Sequence, residues 1–377
     1  MYIEPFLVEE WMNAYEGGAR YNIAETCVES MSLRELCAYT DEDESEFMCK
    51  IARLKLTYGD ITGYPPLKEG IASLYRGLKG ENVITTHGAA GANHHLFLSL
   101  LSPGDKVVSV MPTYQQLYSI PRSLGARVEI LKLRKENAFL PDLDELESLV
   151  GNDTKLVCIN NPNNPTGALI DAETLGNIVE IARRAGAYLM ADEVYRHLTQ
   201  DDTYSESVAD MYEKGISVGS MSKTFSMAGL RLGWLATRDE KVMREFLTHR
   251  DYDHISSGML DERVAALAVK NKEAVFARNR GIVRENLAIL DEWIRWEKLF
   301  DYVKPSAGTT ALVYYDRDIH SYRFARELYE REGVFVTPGD CFGEAKCFRI
   351  GYACDKNTLI AGLNGLSAYA ETIVKRG

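Results

Sequence analysis

The 377-residue chain contains no apolar run approaching the roughly 20 residues that span a bilayer, which excludes a helical membrane segment. It has no excess of basic charge: 43 Lys and Arg against 55 Asp and Glu give a formal charge of −12. Nucleic acid and anionic membranes need a basic footprint, so neither is an expected partner. There is no CxxC motif. The seven cysteines, Cys27, Cys37, Cys49, Cys158, Cys341, Cys347 and Cys354, are odd in number and irregularly spaced. They read as reduced thiols of a cytoplasmic protein. No metal site is expected from them, because the last three lack a second cysteine pair or a clustered histidine. The start, Met1-Tyr2-Ile3-Glu4-Pro5-Phe6, is acidic and lacks a signal-peptide layout. Low-complexity linkers and internal repeats are also missing. None of this excludes a small substrate, since the field in a cleft can oppose the net charge.

What is present is an ordinary globular composition, 46% hydrophobic and 26% charged, with length for more than one domain. Leu7 to Tyr15 reads as an amphipathic helix and Ser32 to Tyr39 as a second, with Ser32 as N-cap. Asp41-Glu42-Asp43-Glu44 suits a solvated helix start. After the turn-rich Tyr58 to Pro66 and a helix over Leu67 to Leu78, strands and helices alternate. Strands are predicted at Asn82–Thr86, Lys106–Met111, Arg127–Leu131, Lys155–Asn160, Tyr188–Ala191 and Gly215–Gly219. Helices are predicted from about Ala92 to Leu101, Asp142 to Leu149 and Ala172 to Ala185. This alternation implies a mostly parallel, doubly wound α/β sheet with helices on both faces, a three-layer sandwich. Ligands bind such sheets beyond the carboxyl ends of the strands. Tyr114, Asn164, Asp192, Tyr195 and Lys223 each follow a predicted strand. A long helical region, about Glu240 to Trp296 and broken near Ser256-Ser257-Gly258, then leads to an α+β segment. Its strands are expected at Thr309–Tyr315, Val334–Thr337 and Cys347–Ile350, and its helices at Ser321–Glu332 and Lys356–Ala370.

The stretch Ser220-Met221-Ser222-Lys223-Thr224-Phe225 follows an apolar strand, and Arg231 comes eight residues after Lys223. Taken alone, Lys223 is either a solvated loop lysine or a partly desolvated amine able to form a Schiff base with a carbonyl cofactor. Asp192-Glu193-Val194-Tyr195 lies directly after a strand, with Asp192 31 residues before the lysine. Asp192 can be a buried carboxylate or a helix N-cap. Asn160 to Gly167 can be a ligand loop or, as Asn-Pro often is, an ordinary turn. Tyr114 can be a ligand-stacking ring or a core tyrosine. Arg349, in Phe348-Arg349-Ile350-Gly351, can be a carboxylate anchor or a surface residue.

Together these motifs, in this order over nearly the whole chain, resemble the fold type I pyridoxal-phosphate enzymes and, within them, the class I and II aminotransferases. The resemblance implies pyridoxal 5′-phosphate as cofactor and an amino acid and a 2-oxo acid as substrates. It implies residues 1–45 as an N-terminal segment joining the small domain, 46–275 as the large cofactor domain and 276–377 as the small α+β domain. Lys223 then matches the Schiff-base lysine and proton carrier, with its pKa lowered. Asp192 matches the partner of the pyridine nitrogen, and Tyr195 and Asn164 the donors to the phenolic oxygen. Tyr114 matches the stacking ring. The amides of Ala89 and Ala90, with Ser220, Ser222 and Arg231, match the phosphate site. The Gly88-Ala89-Ala90 loop lacks the hydroxyl that many relatives carry. Tyr58 matches a tyrosine reaching the neighbouring subunit's phosphate, which implies a homodimer. Arg349, with Asn164, Ala24 and Glu25, matches the substrate site, Arg349 gripping the α-carboxylate.

The side-chain pocket is expected from the N-terminal segment, Tyr21 to Cys27, and the partner's His249 to Ser257. Glu25, Asp251, Asp253 and His254 lie there. Three carboxylates near a pocket suit a basic side chain such as that of arginine or ornithine; they equally suit a solvated surface. Asn22 to Cys27, Ser32 to Leu36 and Arg250-Asp251-Tyr252 are also similar to a subgroup that includes capreomycidine synthase, which cyclises a hydroxylated arginine. Transamination leads, with a pyridoxal-phosphate lyase or cyclase, such as a C–S β-lyase, as the alternative. A non-catalytic regulator on the same fold would carry an appended DNA-binding helix-turn-helix, for which the first 45 residues are too few and too acidic.

Overall fold

A computed structural model describes residues 2–374. Seven strands form its central sheet, in the order Val83–Thr86, Gly233–Thr237, Gly215–Ser220, Tyr188–Asp192, Thr154–Asn160, Lys106–Met111 and Arg127–Lys132. Gly233–Thr237 runs antiparallel to both neighbours, and the other four pairings are parallel. Side chains alternate between two cores. Leu156, Cys158, Met190, Ile216 and Val218 pack into one, while Val157, Ile159, Leu189 and Ala191 pack into another. A parallel sheet is stable only with both faces covered in this way. From Lys106–Met111 the chain winds to Arg127–Lys132 at the sheet edge, then back to Thr154–Asn160 on the other side. The winding reverses there, so the crevice lies beyond Met111 and Asn160, between Tyr114 and Asn164.

A second sheet of four antiparallel strands has the order Thr337–Pro338, Cys347–Gly351, Thr310–Tyr315 and Phe300–Tyr302. Tyr21–Asn22 pairs in parallel with Val334–Phe335. The Gly351 amide donates to Ile23 O at 2.8 Å. A Cβ on Gly351 would lie 1.7 Å from Glu25 O, so only glycine lets the Ala24-Glu25 backbone lie against the Arg349 strand.

The Leu7–Tyr15, Ala172–Ala185 and Ser321–Glu332 helices fall where their patterns predict. Ser32 caps Leu33–Thr40 through a capping box with Glu35. Three segments differ from expectation. The helix expected from Ala92 starts at Gly88, because Gly88 (φ +68°) turns the chain out of the strand and Gly91 sits harmlessly in the first turn. The Leu67–Leu78 helix runs instead from Pro65 to Ala72, starting on its proline pair. The 240–296 region breaks twice, at 251–258 and again at Asn271, giving Glu240–Arg250, Met259–Lys270 and Lys272–Trp296.

Candidate active site

One cavity of about 330 Å³ opens at the carboxyl ends of the central strands. Ala24, Glu25, Ala89, Ala90, Tyr114, Asn164, Asp192, Tyr195, Ser220, Ser222, Lys223, Arg231 and Arg349 all line it. Thirteen of the fourteen positions singled out from the sequence therefore converge on one space. Tyr58 is the exception: it is 73% exposed and outside its own chain's cavity.

Asp192 ends the Tyr188–Asp192 strand and is buried. No helix follows it, which removes the N-cap alternative. Its Oδ2 accepts from Asn93 Nδ2 at 3.3 Å and its Oδ1 from the Val194 amide at 3.3 Å. Burial raises its carboxyl to about 6 against these donors. Asn93, one turn into the Gly88–Leu100 helix, was not singled out from the sequence. It is an asparagine in an apolar helix, and only the fold shows that it faces Asp192.

The Lys223 amine donates to Thr26 Oγ1 at 2.5 Å and to Cys27 Sγ at 3.3 Å. Glu25 Oε1 accepts from the amides of Thr26 and Cys27 at 2.8 and 2.9 Å. Burial disfavours the ammonium, but the nearby Cys27, Tyr195 and Glu25 outweigh it and hold the amine above its ordinary value. The lowered pKa expected for Lys223 is thus not supplied by the protein's own groups. Burial likewise opposes the Glu25 charge, yet Lys223 and the Cys27 amide pull its carboxyl below the ordinary range. Burial pushes the Cys27 thiol up, against the pull of the Lys223 charge.

Arg349 is 3% exposed on the Cys347–Gly351 strand, which excludes a surface role. Its Nη1 donates to Asn164 Oδ1 at 3.2 Å, and its Nη2 to Ala24 O at 3.1 Å and Thr337 Oγ1 at 3.2 Å. Its Nε is buried without a partner among the described residues. The Asn164 amide is fixed by Asn160 Oδ1 at 2.7 Å. Tyr195 is buried, while Tyr114 faces the cavity with its ring 5.0 Å from Phe6.

The start of the Gly88–Leu100 helix leaves the amides of Ala89 and Ala90 without intrahelical partners at the cavity wall. A Cβ on Gly88 would lie 3.1 Å from Arg231 Nη2, so that guanidinium sits against the same helix start. Arg231 itself takes φ +49° and is tied to Ala228 O at 2.9 Å. Two amides, two serine hydroxyls and a guanidinium suit a dianionic phosphate. A buried carboxylate with its pKa raised suits a protonated ring nitrogen. The residues therefore fit pyridoxal phosphate, even without the missing loop hydroxyl.

The acids on this chain's own cavity wall come from the N-terminal segment. Asp251, Asp253 and His254 do not line this chain's cavity; Asp253 is bound to His95 and His254 instead. Glu9, Asn13 and Glu16 line it, joining Glu25. Glu9 and Asn13, four apart, lie on one face of the Leu7–Tyr15 helix beside Val8 and Met12, and Glu16 follows at its C-terminal end. That amphipathic pattern was visible in the sequence, but not which sheet end it covers.

Comparison with known proteins agrees with this geometry. The family model for aminotransferase class I and II matches residues 46–365. A capreomycidine synthase from Streptomyces vinaceus is 30% identical over 361 residues, 96% of this chain and 92% of that protein. An aspartate aminotransferase from Pyrococcus horikoshii is 31% identical over 332 residues, 83% of each chain. The crystal structure of a PLP-dependent aminotransferase from Streptococcus suis 89-1591 superposes with a TM-score of 0.96 at 42% identity, covering 99% of both chains. The chain belongs to the class I and II aminotransferase family, and its cofactor is pyridoxal 5′-phosphate.

Proposed function

We propose that this enzyme moves an amino group between an L-amino acid with a cationic side chain and a 2-oxo acid, with Lys223 as the covalent and proton-carrying amine. The observation that carries the reading is the shared cavity of Lys223, Asp192 and Arg349 with an acidic wall of Glu9, Glu16 and Glu25. Bound pyridoxal phosphate supplies an aldehyde for an amine and a ring that accepts electrons from the substrate's Cα.

The chain's own groups divide the remaining work. Ala89, Ala90, Ser220, Ser222 and Arg231 hold the phosphate. Asp192, braced by Asn93, would hold a proton on the ring nitrogen. Asn164 and Tyr195 would serve the phenolic oxygen, and Tyr114 would pack against the ring. Arg349 presents a planar fork to the α-carboxylate, which fixes the bond at Cα that faces Lys223. Lys223, once released, takes and returns the Cα proton as general base and acid. Glu9 and Glu16 attract the cationic end of the side chain.

A homodimer belongs to this proposal, with Tyr58 completing the neighbouring phosphate site. Its support is a run of exposed apolar residues, Leu56, Tyr58 and Ile61 together with Tyr252 and Ile255. Light scattering at micromolar concentration tests it; a monomer with full activity would refute it. Cytoplasmic residence also belongs to the proposal, supported by seven free cysteines.

Cyclisation or elimination on a basic amino acid is the second reading. Its support is the match to capreomycidine synthase over 96% of the chain and the Glu25–Cys27 grouping around the Lys223 amine. Incubation with single amino acids, ornithine and arginine included, separates the two. Stoichiometric 2-oxo acid with formation of pyridoxamine phosphate supports transamination. Ammonia, or a cyclic product without an acceptor, supports the second reading, and no reaction with any basic amino acid overturns the substrate assignment.

A further inference from the structure

Four of the chain's seven histidines, His87, His94, His95 and His254, gather in one group, and none of them lines the cavity. His95 Nε2 and His254 Nδ1 both lie 3.0 Å from the same oxygen, Asp253 Oδ2. The two nitrogens and the carboxylate oxygen are all within 4.8 Å of one another. His95 and His254 are 3% and 9% exposed. The Asp253 side chain is 60% exposed in the single chain. The His254 ring stacks on His87 at 4.0 Å and 15°, which fixes its plane.

We propose that His95, Asp253 and His254 bind one divalent transition-metal ion of the zinc type, with water completing its coordination on the Asp253 side. Two imidazole nitrogens and one carboxylate are a common ligand set for such ions and a poor one for magnesium or calcium, which prefer all-oxygen shells. The rear nitrogens, His95 Nδ1 and His254 Nε2, have no protein acceptor among the described residues. Such acceptors are worth about 10- to 100-fold in metal affinity, so the expected binding is micromolar rather than tighter.

The ion would tie together two segments far apart in sequence. His95 lies in the Gly88–Leu100 helix, whose first turn faces the cofactor phosphate, and Asp253 and His254 lie after the Glu240–Arg250 helix. The cysteines take no part: among the described residues, this is the one group of three His, Cys, Asp or Glu side chains placed to share an ion. The absence of a metal, expected from the cysteine pattern, thus gives way to a site built by histidines that the sequence keeps about 160 residues apart.

The test uses untagged holoenzyme, stripped with a chelator and titrated in phosphate-free buffer with Co²⁺ as the spectroscopic probe. Elemental analysis after gel filtration with Zn²⁺ follows. The expected result is one saturable ion per chain with visible ligand-field absorption. Asp253→Asn, on an exposed side chain, and His254→Gln should each weaken binding at least tenfold. His94→Gln, on the neighbouring ring, should leave it unchanged. Absence of saturable binding overturns the proposal, as does binding equal to the unsubstituted protein's in both Asp253→Asn and His254→Gln with the fold intact by circular dichroism.

Discussion

Arg349 Nη1 donates to Asn164 Oδ1 at 3.2 Å, across 185 residues of chain. That bond joins a strand of the four-stranded sheet to the turn after the Thr154–Asn160 strand. It places the proposed substrate anchor beside a proposed cofactor ligand. Because Arg349 is buried and its fork is held by Asn164, Ala24 and Thr337, it is pre-oriented for a carboxylate. Arg349→Ala should raise the KM for amino acids about 100-fold, on the order of 3 kcal/mol for a lost bidentate charged contact. Cofactor content should be nearly unchanged. Arg349→Lys should recover little, since an ammonium cannot reproduce the fork. Steady-state kinetics with cofactor titration checks both.

Lys223→Ala should abolish covalent capture. After borohydride treatment and dialysis under denaturing conditions, the unsubstituted protein should retain one cofactor equivalent per chain and the variant none. Retention by the variant would remove Lys223 from its role.

Asp192 should govern pH dependence in two opposite ways. Burial raises its carboxyl to about 6 from an ordinary value near 4. Between about pH 4 and 6 the folded protein without cofactor holds a proton there that the unfolded chain has lost. Stability from this group therefore falls as pH rises through that window, by on the order of 3 kcal/mol. Asp192→Asn should remove the fall, seen as a flatter Tm against pH for the apoprotein. Cofactor binding needs the carboxylate, so its affinity should drop up to about tenfold per pH unit below about 6, and the Asn variant should lose that slope.

Gly233 abuts the phosphate cradle. A Cβ there would lie 2.4 Å from Gly88 C and 2.6 Å from Ala89 N. Gly233→Ala should push the helix start and cost about 1–3 kcal/mol of packing. Affinity for pyridoxal phosphate should fall at least tenfold, while that for unphosphorylated pyridoxal should change little. Equal losses for both would show general unfolding instead.

Glu9→Gln and Glu16→Gln should each raise the KM for ornithine or arginine about two- to fivefold, roughly 0.5–1 kcal/mol for an exposed ion pair. The KM for leucine should stay level. An effect on both substrates alike would refute side-chain recognition.

The central sheet and the residues that gather at its strand ends were legible because they are local. Asp192, Asn164 and Lys223 sit at the ends of apolar strands, and a strand end in a doubly wound sheet points at the crevice whatever surrounds it. Asn93, Thr26 and Cys27 were not legible as ligands of Asp192 and Lys223. Each meets its partner only when a helix or the N-terminal segment packs over the strand ends. The meeting of His95 with Asp253 and His254 was not legible either, because it forms only when the segment after the Glu240–Arg250 helix packs on the Gly88–Leu100 helix.

The sequence by itself determined the central sheet and which polar residues follow its strands, since apolar runs and their flanking polar residues are properties of the chain. The tertiary structure alone decided which acids line the cavity, that the Lys223 amine lies against Thr26 and Cys27, and that His95 and His254 share one carboxylate. Those are facts of distance and burial, and they arise only when segments remote in sequence are brought into contact.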